Sequence, residues 1–217
     1  MVDITTRKAS EILDQSFEDE EFEDMDLSES SESAERVKQV VTASVLASLS
    51  IAAAPIASII PRIPGWGIAL FDPVSIFWVV AFLIGGYWVG IVSSFAGTFG
   101  LFLYDPTAIG PVFKLLATLP MILVPFFGVR RLGNEAGGES LSRPKFYATL
   151  MASAFILRLS IMIPTNLIYG AIALPFLTVE FILGYAIILN AFQSMWDALI
   201  PFIIVHKTEV FKSFGMW

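Results

Sequence analysis

Residues 73–104 run for 32 positions without a charged side chain. A single helix of that length would be about 48 Å long, against a hydrocarbon core of about 30 Å. Two full spans would need about 20 residues each, more than the run holds. Gly85-Gly86 and Gly90 fall near its middle, and glycines there mark a break. The run therefore predicts a tight hairpin of two short helices, roughly 73–85 and 87–103. Such an element needs apolar surroundings on every side.

The rest of the sequence supplies them. Hydrophobic residues make up 56% of the 217 and charged residues only 15%, a balance that belongs to membrane proteins. Residues 40–60 carry no charge over 21 positions. Residues 107–129 are interrupted by Lys114, residues 146–169 hold Arg158 and Asn166, and residues 182–205 hold Asn190, Gln193 and Asp197. With the hairpin, these runs give an all-α membrane protein of six transmembrane helices, multi-pass in the cell membrane.

The net charge of −7 is unevenly placed. Residues 1–35 hold 13 acidic and two basic side chains, whereas residues 36–217 hold seven acidic and 11 basic ones. The chain thus divides into an acidic tail, 1–35, and a six-helix substrate-binding body, 36–217. The tail has too little apolar surface to offset its ordering entropy and is expected to be disordered. It is either a plain solvated tail or a docking and regulatory one. With both termini cytoplasmic, Arg36, Lys38, Arg130, Arg131, Arg143, Lys145, Lys207 and Lys212 lie inside and Arg62 outside, as the positive-inside rule asks.

That orientation puts two apolar loops, 61–72 and 170–181, on the external side. The first carries Trp66 and Phe71. Just beneath them, Asn190, Gln193 and Asp197 share one face of the last helix at i, i+3 and i+7. Polar groups at membrane depth face the protein interior or a wet cavity. Asn166, Asn190 and Gln193 could hold a small polar solute by donating and accepting hydrogen bonds, with Trp66, Phe71 and Tyr169 stacking on a flat ring. The competing reading is that the amides join neighbouring helices, at a gain of about 0.6 kcal/mol each. Asp197, deeper in the membrane, is expected to be neutralised by Arg158 or Lys114.

Other chemistries find little support. The chain lacks cysteine and has His206 as its one histidine, which removes thiolate and paired-histidine metal sites. It has no phosphate-loop, zinc-protease, nucleophile-elbow or dinucleotide fingerprint. No cofactor or metal is expected, no catalytic residue is nominated, and the juxtamembrane basic residues give nucleic-acid binding no support.

In the first helix Ala43 and Ala47, then Ala53 and Ala57, repeat as small-xxx-small pairs that let another helix approach closely, from this chain or from a separate subunit. Together with Phe71-Asp72-Pro73, the Gly85/Gly90 hairpin, Arg158 with Asn166, and Asn190-xx-Gln193 followed by Asp197-xx-Ile200-Pro201, they carry a resemblance. The body resembles the substrate-binding S-components of energy-coupling-factor (ECF) vitamin transporters, most nearly the riboflavin-binding branch. The resemblance implies a vitamin held near the external face by Asn166 and Asn190. It also implies a transmembrane coupling subunit that meets Ala43 and Ala47, and two ATPase subunits that supply energy. Where it implies a lysine, this chain has Gln193, and the acidic tail lies outside the family pattern. Two other classes remain: an enzyme acting on a lipid-linked substrate, with Asp197 and Glu180 as its available acids, and a structural or signalling membrane protein regulated by its tail.

Overall fold

The computed structural model describes residues 32–57, 59–64, 69, 71–133, 137–208, 210 and 216. The chain separates into two units, residues 1–40 and 41–217. In the first, residues 32–40 are described, and they are helical. The expected disorder of the tail falls almost wholly outside the described residues. Its last positions, 32–35, belong to a helix rather than to a tail.

The architecture is all-α. Helix α1 (Glu32–Ala57) is followed by α2 (Val74–Leu101), α3 (Ile109–Leu132), a 3-10 turn (Gly137–Ser142), α4 (Pro144–Ala173) and α5 (Val179–Phe202). A π turn, Ile203–Lys207, continues α5. Five of these helices are long and apolar enough to cross a membrane. Their bounds lie within a few residues of those expected, except that α1 begins at Glu32 rather than at residue 40 and that α4 and α5 reach further into the second apolar loop. That loop shrinks from the expected 170–181 to residues 174–178. The first loop is pinched by a single antiparallel bridge between Arg62 and Ala69.

Helix α2 is the core element. Its most apolar stretch is 78% buried, against 22–39% in the other four, and Trp78, Val79, Phe82, Leu83 and Val89 are fully enclosed. The expected break falls at Gly86, whose φ of 74° and ψ of −166° are open to glycine alone. A Cβ placed on Gly90 would lie 2.7 Å from that of Phe82, and Gly97 lies against the Trp78 indole. A straight helix would hold residues 82 and 90 about 12 Å apart, and residues 78 and 97 about 28 Å apart. The chain therefore reverses at Gly86, and two short limbs, 74–85 and 87–101, pack side by side.

The reversal also decides what α1 touches. Ala43 and Ala47 are 1% and 3% exposed, and Ala43 packs into the core built around α2. One turn on, the Ser50 hydroxyl accepts a 2.9 Å bond from the Trp78 indole N–H and donates to the Ala47 carbonyl. Gly97 lies beneath Ser50 and Gly100 beneath Ile51. The expectation that Ala43 and Ala47 meet a separate coupling subunit is corrected here. Ala43 sits in the core around α2 and Ala53 packs with Val74, Trp78 and Leu101, so the stripe is buried within the chain.

At one end of the bundle lie the Gly86 reversal, the last turn of α3 with Arg130 and Arg131, and the start of α4 with Arg143 and Lys145. The amide of Met216 donates to the Ile84 carbonyl beside the reversal. The starts of α3 and α5 and the end of α4 gather at the other end, whereas α2 begins part-way along the bundle, where Ser75 meets Asp197. Substituting Gly86→Ala should destabilise the protein by about 1–3 kcal/mol, since alanine is strained at this φ and ψ. Thermal unfolding in detergent measures the loss, and an unchanged midpoint would contradict the reversal.

Candidate functional site

The polar side chains in the bundle converge on Arg158 of α4, which is 1% exposed. Its Nε donates to Asn190 Oδ1, one terminal nitrogen to Asp197 Oδ2 and the other to Gln193 Oε1, each at 2.8 Å. The stripe on α5, one face at helical spacing, is thus gripped by a single planar fork. Asp197, equally buried, accepts a further 2.7 Å bond from the Ser75 hydroxyl at the start of α2. A buried charge is tolerated only when its partner and its remaining hydrogen-bond sites are supplied, and three helices supply them here. Tyr147 adds a second tie between α4 and α5, donating to the Ala198 carbonyl at 2.8 Å.

Above this network, toward the end opposite the basic cluster, lies a cavity of about 410 Å³. Three helical faces build it. Helix α3 contributes Ile109, Gly110, Phe113, Lys114 and Ala117, and α4 contributes Met162, Asn166, Tyr169 and Gly170. Helix α5 contributes Phe181, Ile182, Tyr185, Leu189, Asn190 and Gln193, while Leu174 and Leu177 close the α4–α5 turn. Its size and mostly apolar, aromatic lining with a few polar groups match a small-molecule pocket. Phe113 and Tyr169 meet edge to face, 5.4 Å between ring centroids.

Hydrogen bonds outside the cavity decide what its amides present. Asn166 donates through Nδ2 to the Met162 carbonyl at 2.7 Å, which leaves its Oδ1 as an acceptor. Gln193 accepts from Arg158 through Oε1, which leaves its Nε2 as a donor. Asn190 is spent at both ends, Nδ2 on the Ala186 carbonyl and Oδ1 on Arg158. Lys114 pairs with Asp72, whose other oxygen accepts from the Val74 amide at the start of α2. A lysine ammonium has three donors, so two remain beyond Asp72.

At the rim, Asp105 shapes the approach to α3. Its carboxylate accepts from the amide and hydroxyl of Thr107 and from the amide of Gly110. The Thr107 hydroxyl is the largest cause holding its pKa below the ordinary carboxylate value. A depressed folded pKa contributes stability above the unfolded pKa and loses it as the pH falls through the folded one.

The cavity brings together Asn166, Asn190, Gln193 and Tyr169, as the sequence suggested. Phe71 is not among its lining residues. It packs against the core cluster and meets Trp196 edge to face at 5.8 Å, because the chain entering α2 turns that ring toward the interior. Trp66 lies outside the described residues. Sequence reasoning missed Lys114, Tyr185, Phe113 and Phe181 as lining groups. Their signal was helical spacing: Gly110, Lys114 and Ala117 on α3, and Tyr185, Leu189 and Gln193 on α5.

Compared with protein-family models, curated proteins and solved structures, the chain matches none.

Two outcomes follow from the charges. Arg158→Met should cost about 3–5 kcal/mol by leaving Asp197 buried without its cation, and Arg158→Met with Asp197→Leu should recover much of it; unfolding in detergent compares the three proteins. The stability gap between the native chain and Asp105→Asn should be present at neutral pH and close as the pH falls through the Asp105 midpoint, read from thermal midpoints across a pH series.

Proposed function

We propose that residues 36–217 form the substrate-binding S-component of an ECF-type vitamin transporter. It takes up a flat, hydrogen-bonding vitamin, with riboflavin the best match, for import powered by a coupling subunit and two ATPase subunits. The observation that carries this reading is the shared cavity. Amides from α4 and α5 and a cation from α3 line one aromatic-walled space near one end of the bundle. In this reading the Gly86 reversal makes α2 two short crossings. The body then crosses six times, both termini are cytoplasmic, and the end that holds Arg130, Arg131, Arg143 and Lys145 lies inside, in accord with the positive-inside rule. The cavity then faces outward, where a solute is captured.

Within this reading, the buried Arg158–Asp197 pair and the α2 hairpin are the rigid part and the cavity rim is the adaptable part. The coupling subunit meets a surface other than Ala43 and Ala47, which are buried within the chain. The enzyme reading is weaker on a specific ground. Asp197 is held by Arg158 and Ser75, and neither it nor Glu180 lines the cavity.

Purified in detergent, the protein should carry a stoichiometric small molecule by mass spectrometry. Failing that, it should bind riboflavin with a rise in thermal midpoint. Asn166→Leu should weaken that binding about tenfold, the cost of one lost hydrogen bond with a buried group left unpaired. A protein that carries nothing and ignores riboflavin, thiamine and biotin would refute the proposal.

A further inference from the structure

Resting on that reading, we infer that Lys114 is a specificity-determining residue: the cavity takes an uncharged or anionic solute whose oxygen acceptors meet Lys114 and Gln193, and it rejects cations. The argument begins with what the lining offers. Lys114 supplies two N–H groups beyond its Asp72 bond, and Gln193 supplies Nε2, because Arg158 occupies its oxygen. Asn166 adds the acceptor Oδ1 and the second N–H of Nδ2, the first being used on the Met162 carbonyl. Donors therefore outnumber fixed acceptors among the charged and amide groups. The hydroxyls of Tyr169 and Tyr185, also in the lining, serve in either sense.

Among the described residues, no carboxylate lines the cavity. The two nearest in the hydrogen-bond network are already engaged: Asp72 with Lys114 and the Val74 amide, and Asp197 with Arg158 and Ser75. A cationic solute would give up its hydration beside a lysine with no free anion to receive it, which is an uncompensated cost. A carbonyl or carboxylate oxygen in the same place gains charge-assisted bonds. Discrimination of this kind comes as much from repelling the wrong ligand as from holding the right one. Asp72 also explains how a lysine is kept in an apolar wall without solute: it neutralises the ammonium from the start of α2.

The test measures binding of two probes to the full-length chain in detergent: riboflavin, uncharged and bearing ring carbonyls, and thiamine, a cation. Riboflavin should bind at least about tenfold more tightly than thiamine. Lys114→Gln should weaken riboflavin about tenfold and narrow the gap between the probes. Thermal midpoints without ligand check that the variant is folded, and the wild-type comparison needs no variant. Thiamine binding as tightly as riboflavin, or a folded Lys114→Gln with unchanged riboflavin affinity, overturns the inference and leaves the solute-binding reading standing. If neither probe binds, the inference falls, and the solute-binding reading falls with it only if the protein also carries no small molecule and ignores biotin.

Discussion

A guanidinium sealed among membrane helices must find its acceptors inside the protein. Arg158 finds three, all on α5, and its principal anion is tied in turn to Ser75 on α2. Breaking the bond between Arg158 and Asp197 leaves a charge unpaired where both side chains are buried. The network therefore fixes the rotation of α5 about its own axis, and with it which face looks into the cavity. It also fixes amide orientation. The fork takes the oxygens of Asn190 and Gln193, so the nitrogen of Gln193 is what a ligand meets. A structural ion pair and a recognition surface are here two sides of the same set of bonds.

The second constraint is the folded-back α2. Because its first limb is nearly wholly enclosed, the longer helices can wrap around it and spend their inner faces on the same core, whereas the second limb turns Trp88, Phe95 and Phe99 outward. Helix α1 is drawn in by Ser50, which receives the Trp78 indole, and by the glycines that admit its backbone. The cavity forms where this packing ends, between α3, α4 and α5. There the side chains change from Leu, Val and Ile to Tyr, Asn, Gln and Lys.

Much of this was legible from residue order. The reversal followed from a length that fits neither one span nor two, with paired glycines at its centre. That Asp197 needs a cation followed from the cost of a lone buried charge, while the choice of Arg158 over Lys114, which pairs with Asp72, did not. The shared cavity of Asn166, Asn190, Gln193 and Tyr169 followed from helical spacing on the last two helices. Other features were not legible. Ala43 and Ala47 gave a pattern for close approach but not the identity of the approaching element, which is α2, meeting the same helix at Ser50 and Ile51 through Trp78, Gly97 and Gly100. Phe71 sits where chain direction, not composition, aims the ring. The direction of each amide was hidden because Asn and Gln offer both a donor and an acceptor, and only the neighbours of Asn166 and Gln193 decide which is left over.

The two limbs of α2 measure about 18 and 22 Å by rise per residue, and each falls short of the hydrocarbon thickness. A segment that short gains too little from lipid to hold a place by itself. In the six-crossing reading proposed above, the pair therefore enters the membrane together, closed at Gly86, and is held by its neighbours once the later helices arrive. The order of assembly is thus written into the middle of the chain, since the innermost element is made early and becomes secure only after the last helix has joined.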